Sequence, residues 1–353
     1  MLFMFNLASL VRGNIKKLSP YSSARDEFSG KASVFLDANE NSLGSPLTKW
    51  YNRYPDPLQK KVKEKISFIK KVPIEQIFLG NGSDEPIDIL LRCFCEPKVD
   101  EVIIMPPTYG MYEVSANINN VTIRKVPLTS SFQIDLEQLE QSIQPNTKII
   151  WICSPNNPTG NSMDRQSIEM ILNNFDGLVV IDEAYINFSR QKSFVADLND
   201  YPNLVVMQTL SKAWGLAGLR MGMAFASSEI IQYMNKVKPP YNISEPVQEL
   251  ALKALDEIGQ VNDMIKAIVD MRAALEKDLM NIETVEKIYP SDANFLLVKF
   301  QDAKALYEYL LDREIVVRDR SNVQRCEDCL RITVGTEKEN KALIETLKSF
   351  KQS

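Results

Sequence analysis

The chain of 353 residues contains no histidine. That absence excludes every mechanism in which imidazole serves as base, zinc ligand or triad member, so acid–base work falls to Lys, Tyr, Asp, Glu or Cys. A basic excess is missing too. With 41 Lys and Arg against 46 Asp and Glu, the formal charge of -5 argues against nucleic acid or an anionic membrane as main partner and favours a small molecule. No apolar run approaches the roughly 20 residues that span a bilayer. The opening MLFMFNLASLVRGN lacks both a basic start and a long apolar segment, so a soluble, cytoplasmic protein is expected. The five cysteines, an odd count, do not suggest a disulfide framework. Cys93 and Cys95 read as core. Cys326 and Cys329 form a lone C-x-x-C with no second pair or histidine to complete a common zinc set, and no metal is expected. There is no G-x-x-x-x-G-K-[ST] loop, which sets aside an ATPase reading of the Walker-B-like GLVVIDEAY, and no G-x-G-x-x-G after a strand, which demotes a dinucleotide enzyme.

What is present reads as a globular α/β protein of about two domains. LQKKVKEKISFIKK places Leu58, Val62, Ile66 and Ile69 on one helical face, and IFLG ends a short strand after it. Strand candidates EVIIMP, VTIRKV, TKIIWIC, GLVVID and NLVVMQT then alternate with helical segments such as DLEQLEQSI and DRQSIEMILNNF. Continuous apolar runs, rather than period-two alternation, predict a mostly parallel sheet covered by helices on both faces. From Ser244, a plausible N-cap, one long amphipathic helical run is expected. A smaller α+β segment follows, with strands near 294–300, 314–317 and 330–334 and a last helix opened by a capping box of Thr336 and Glu339. The expected divisions are an N-terminal arm over 1–27 packing with the small domain, a large domain over 28–244 and a small C-terminal domain over 245–353.

Four polar clusters fall at predicted strand ends, where open α/β sheets collect ligands: GNGSDE, CSPNNPTG, IDEAY and TLSKAWGLAGLR. Singly each is weak; GNGSDE, for one, also reads as an ordinary turn with acidic residues in the first helical turn. Together they fit pyridoxal phosphate. That cofactor needs a lysine for its Schiff base, a carboxylate at the pyridine nitrogen, a donor on the ring oxygen, and cationic and N–H donors around the phosphate. Lys212, Asp182, Tyr185, Ser211 with Arg220, and the turn at Gly82 supply these in order. Tyr109 is open to two readings, a ring stacked on the cofactor or a core aromatic. The glycines and alanines between Lys212 and Arg220 are expected to allow close backbone approach.

SPNNPTG, DEAY and TLSKAWGLAGLRMG, in that order, resemble the fold type I pyridoxal-phosphate aminotransferases. LDANENS, RYPDP, PPTYGMY, the RD at 318–319 and LRITVGT are similar to the histidinol-phosphate aminotransferase family, over about Leu36 to Thr336, with a weaker match in SPYSSAR. The resemblance implies a large domain with a mostly parallel sheet, a smaller α+β C-terminal domain, and a homodimer. It implies that Lys212 bonds the cofactor and moves the substrate proton, and that Asp182 makes the ring an electron sink. Asn157 and Tyr185 would bond the ring oxygen, while Gly82, Ser83, Asp84, Ser211 and Arg220 surround the phosphate. Tyr54 would reach the neighbouring subunit's cofactor phosphate. Arg331 would anchor the anionic end of histidinol phosphate, with Arg318, Tyr21 and Asn157 assisting, and 2-oxoglutarate and glutamate would borrow the same donors.

Alternatives stay open at this level. Arg318 also reads as part of a surface cluster with Arg313, Arg320 and Arg325. Trp214, a departure close to the cofactor lysine, either crowds the pocket or packs behind it. An aromatic or broad-range aminotransferase, or a phosphothreonine-type decarboxylase, would share the cofactor residues. A transcriptional regulator would need a separate DNA-binding segment, for which the stretch before Leu36 is too short.

Overall fold

The computed structural model describes residues 5–21 and 33–350. Strands β1 (Ile77–Asn81), β2 (Glu101–Ile104), β3 (Thr122–Lys125), β4 (Thr147–Cys153), β5 (Leu178–Asp182), β6 (Leu204–Thr209) and β7 (Met221–Phe225) form one sheet in the order β1-β7-β6-β5-β4-β2-β3. The pairs from β3 through β6 are parallel; β7 runs antiparallel to both β6 and β1. The apolar runs are buried on both faces as expected. In β5, Val179 and Ile181 enter one core while Leu178 and Val180 enter the other.

β7 was not anticipated. It begins directly after Arg220 and carries Gly222, whose backbone meets the turn after β1 so closely that a Cβ there would lie 2.3 Å from the carbonyl carbon of Gly82. A strand interrupted by glycine has weak local signal, and here the glycine is demanded by a contact with a distant strand.

A second sheet, of β8 (Val285–Ile288), β9 (Phe295–Phe300), β10 (Arg318–Asp319) and β11 (Cys329–Thr333), is antiparallel in the order β10-β11-β9-β8. Residues 314–317, expected as a strand, form none; the two-residue β10 lies just after them, and β8 was not foreseen. Its core joins Leu296, Val298 and Leu330 to Leu275 and Leu279 and to Leu343, Ile344 and Leu347 of the last helix, where Thr336 and Glu339 do form the capping box.

The long run after Ser244 is two helices, Glu245–Asp256 and Ile258–Leu279. Ser244 stands at the N-cap position without a side-chain cap bond, and Pro246 occupies the first turn. Ala251 and Leu255 of the first helix, with Val261 of the second, pack in the core of the large sheet; Leu275 and Leu279 belong to the small one. The N-terminal arm also differs from expectation. Leu10, Val11 and Ile15 bury against Phe94 and Ile231 on a face of the large sheet, not in the small domain, and Arg12 bonds Glu96 and the Arg92 carbonyl there. Three apolar side chains spaced along two short helical turns find their hydrophobic partners on that face. Residues 22–27 of the arm lie outside the described residues.

Candidate active site

The carboxyl ends of β4, β5 and β6 deliver Cys153, Asp182 and Thr209 to the floor of a cavity of about 710 Å³. Its walls include Ser83, Asp84, Tyr109, Asn157, Tyr185, Ser211, Lys212 and Arg220 from the large-sheet side, and Arg318, Arg320 and Arg331 from the small sheet. Most of the expected site residues therefore converge, although they are drawn from positions as far apart as Ser83 and Arg331.

Asp182 is 2% exposed. Tyr112 donates its hydroxyl to Oδ2 at 2.8 Å and the Ala184 N–H reaches Oδ1 at 3.1 Å. Burial raises the carboxyl pKa from 3.8 to about 6, the two hydrogen bonds opposing it. Tyr112 was missed from sequence, although it lies three residues after Tyr109. Tyr109 itself donates to Asp84 at 3.0 Å while lining the cavity, and its ring meets Tyr112 edge-on.

Lys212 follows β6 in a loop turned by Gly215, whose φ is +65°. The open cavity leaves the lysine in contact with solvent, but the surrounding protein still lowers its pKa by desolvation; Arg331 lowers it further, Asp182 opposes this, and Arg220 adds to the lowering. Nζ lies 5.5 Å from the centre of the Tyr185 ring, which meets Phe295 of the small sheet edge-on. Trp214 is buried beside Leu210, Met223 and Leu255, and it lines a separate small void with Lys70 and Gln208. It packs behind the lysine loop rather than crowding the cavity.

Close backbone approach is found elsewhere than expected. Nothing lies near a Cβ placed on Gly215 or Gly218, whereas one placed on Gly82 would be 2.5 Å from Nη2 of Arg220. Gly82 is also at φ +68°, and its N–H donates to the Arg220 carbonyl at 2.8 Å. Beside this turn stand Ser211 and the N-terminus of helix Asp84–Phe94, whose N-cap Ser83 makes no side-chain cap bond, a positive helix end. Arg220 lies 3.4 Å from Asp84.

On the opposite wall, Arg331 of β11 is paired in register with Arg318 of β10 and donates to Asn157 Oδ1 at 2.5 Å. Arg320 joins them at the cavity, so the surface cluster envisaged from sequence divides: Arg313 instead stacks on Tyr309 at 3.4 Å. None of the three cavity arginines has a carboxylate in ion-pair reach among the described residues. Glu183, another residue the sequence left without a role, is fully enclosed and accepts from Ser193 Oγ, Phe194 N and Gln208 Nε2, tying the segment after the IDEAY cluster to β6.

Tyr21 and Tyr54 are not brought to the cavity by this chain. Tyr21 is 74% exposed; Tyr54 is half exposed and stacks on Tyr241 in a separate groove. Cys326 and Cys329 are buried, with burial raising each thiol to about 12, as for unreactive structural cysteines.

The residues present fit pyridoxal phosphate. A buried carboxylate and an amine share one cavity, and a glycine that no side chain could replace leaves Arg220 room beside a helix N-terminus. The sequence profile described as aminotransferase class I and II matches residues 36–347. A histidinol-phosphate aminotransferase of Cytophaga hutchinsonii is 53% identical over 346 residues, covering 98% of this chain and 99% of that one. One from Parabacteroides distasonis is 55% identical over 348 residues, covering 99% and 100%. The crystal structure of histidinol-phosphate aminotransferase from Sinorhizobium meliloti in complex with pyridoxal-5'-phosphate has the same fold, with a TM-score of 0.76, 22% identity, and coverage of 84% of this chain and 82% of that one.

Proposed function

Because the chain belongs to the aminotransferase class I and II family, we propose that it transfers the amino group of L-histidinol phosphate to 2-oxoglutarate, giving imidazole acetol phosphate and L-glutamate in histidine biosynthesis. The cofactor is pyridoxal 5'-phosphate. The observation that carries the substrate reading is the cavity itself: an amine beside a buried carboxylate on one side, and arginines without carboxylate partners on the other.

Bound there, pyridoxal phosphate supplies an aldehyde carbon for the amino group and a ring that withdraws electrons. Lys212 is the residue that would bond it; once the substrate amine displaces Nζ, the freed lysine amine would take the proton from the substrate carbon bearing the amino group. Desolvation, with Arg331 nearby, lowers its pKa, a shift in the direction that favours a base. Asp182, held by Tyr112 and Ala184, would keep the ring nitrogen protonated. Asn157 and Tyr185 would bond the ring oxygen, and Tyr109 would lie against the ring. Gly82, Ser83, Asp84 through its backbone, Ser211 and Arg220 would hold the cofactor phosphate. Arg331 and Arg318 receive the anionic end of each substrate, because guanidinium groups pair well with both phosphate and carboxylate.

A homodimer completes this reading. Tyr54 would serve the neighbouring subunit's phosphate, which agrees with its exposed position in a chain that also exposes Leu43, Leu47 and Trp50; Tyr21 is assigned to the substrate end. The proposal keeps a large and a small functional domain, although Ala251, Leu255 and Val261, which the 245–353 division gives to the small one, pack in the large core; the enzyme is assigned to the cytoplasm. No helix among the described residues is long and apolar enough to cross a membrane.

The test is product formation from L-histidinol phosphate, L-phenylalanine and L-phosphothreonine, each supplied with 2-oxoglutarate. Glutamate released preferentially with histidinol phosphate supports the proposal. Preference for phenylalanine, or release of carbon dioxide from phosphothreonine, would overturn it in favour of the alternative concerned.

A further inference from the structure

Arg320 has no role in the site as described so far, yet its position is unlike that of an ordinary surface arginine. It lines the cavity with Lys212, Arg318 and Arg331. Its Nε is buried and finds no acceptor among the described residues, and no carboxylate lies in ion-pair reach. Two other arginines are well satisfied by contrast: Arg165 bonds Glu169 and Asp197, and Arg124 bonds Glu101 through two nitrogens.

The backbone beneath Arg320 is pinned. Its N–H donates to the Cys329 carbonyl at 2.9 Å, its carbonyl accepts from Val323 at 2.8 Å, and the next N–H, of Ser321, donates to Asp319 Oδ1 at 2.8 Å. A turn fixed in this way holds the side chain at the wall where β10 and β11 present Arg318 and Arg331. Burial, followed by repulsion from those two arginines, lowers its pKa. An unpaired, partly buried guanidinium beside two others is unfavourable in the unliganded protein. A ligand with high negative charge and several acceptor oxygens would relieve all three. A carboxylate offers two oxygens and one charge; a phosphate monoester offers three terminal oxygens and close to two charges.

We propose that Arg320 is a specificity-determining residue, the third cation of a subsite that favours phosphate monoesters over carboxylates. This rests on the reading that the cavity accepts a phosphate-bearing amine. It assigns Arg320 a share in selecting the donor that the amino-group chemistry at Lys212 does not require.

The test compares wild-type holoenzyme with Arg320→Gln and Arg320→Lys, using Arg313→Ala as the control. Binding of methyl phosphate is measured by calorimetry, and kcat and KM are measured for L-histidinol phosphate and L-glutamate. Arg320→Gln is expected to weaken methyl phosphate and raise KM for histidinol phosphate by about tenfold, with kcat and KM for glutamate changed by less than about threefold. Arg320→Lys, which keeps the charge without the planar fork, should recover part of the loss, and the control should match wild type. Methyl phosphate binding by Arg320→Gln within about twofold of wild type, or equal losses for glutamate and phosphate, would overturn the inference. If wild-type enzyme does not turn over histidinol phosphate, the proposed function fails, and the calorimetry still decides the role of Arg320.

Discussion

Replacing Asp182 with asparagine is expected to stabilise the cofactor-free protein at neutral pH while destroying its activity. The carboxyl is fully enclosed, and its pKa in the fold is about 6 against an ordinary 3.8. The folded state therefore holds this proton more tightly than the unfolded chain. Stability from the group is present below the unfolded value and is lost as pH rises between the two values. The difference corresponds to about 3 kcal/mol of strain above the folded pKa, accumulated at no more than about 1.4 kcal/mol per pH unit. Asparagine is nearly isosteric and cannot ionise. Its oxygen can still accept from Ala184 N–H, although the Tyr112 hydroxyl must find another arrangement at a cost of about 1 kcal/mol. The net expectation is a gain of about 2 kcal/mol for Asp182→Asn at pH 7 that vanishes near pH 4, where the variant should be level with or slightly below wild type. Urea unfolding of both apo proteins across that range measures it. Added pyridoxal phosphate should then stabilise wild type more than the variant, because the carboxylate regains a cationic partner. A variant less stable than wild type at neutral pH, or a difference that does not change with pH, would refute the argument.

Other expectations follow from the same geometry. Lys212→Arg keeps a cation but loses the nucleophile and base, so turnover should fall by at least about 10³-fold while folding, followed by circular dichroism, is retained. Arg331→Gln should raise KM for both histidinol phosphate and glutamate by about 10- to 100-fold, as expected when a bidentate cation is lost. Removing that guanidinium also lifts one of the causes that depress Lys212, so the acid limb of the kcat profile should move to higher pH; an unmoved limb would show that the two groups are uncoupled. Gly222→Ala would press a Cβ against the backbone of Gly82 and Ser83, costing about 2–3 kcal/mol of stability and weakening cofactor affinity, both measurable by thermal unfolding with and without the cofactor.

Much of the catalytic half of the site was legible because strand-end clusters carry local signal. Asp182 closes an unbroken apolar strand, and Lys212 follows another within three residues, so the residues that make chemistry stand next to the most readable elements. β7 was hidden because Gly222 serves a contact with the turn after β1 that no neighbouring residue announces. Arg320 was hidden for a related reason. Among Arg313, Arg318, Arg320 and Arg325, only the pairing of β10 with β11 and the turn that follows decide which guanidinium groups face Lys212. Tyr112 and Glu183 act through buried hydrogen bonds, and the sequence around each reads equally well as core packing. The long amphipathic run after Ser244 shows the reverse problem: its periodicity continues across a change of packing partner, from the large core to the small one.

The most direct test of the central claim is the visible spectrum of the purified protein with pyridoxal phosphate bound, recorded as L-histidinol phosphate and then 2-oxoglutarate are added. The account predicts a band from the cofactor joined to Lys212, lost on adding histidinol phosphate and restored by 2-oxoglutarate, with no such band in Lys212→Arg. A normal band that histidinol phosphate leaves unchanged would contradict the substrate assignment, and the same band in Lys212→Arg would contradict the site itself.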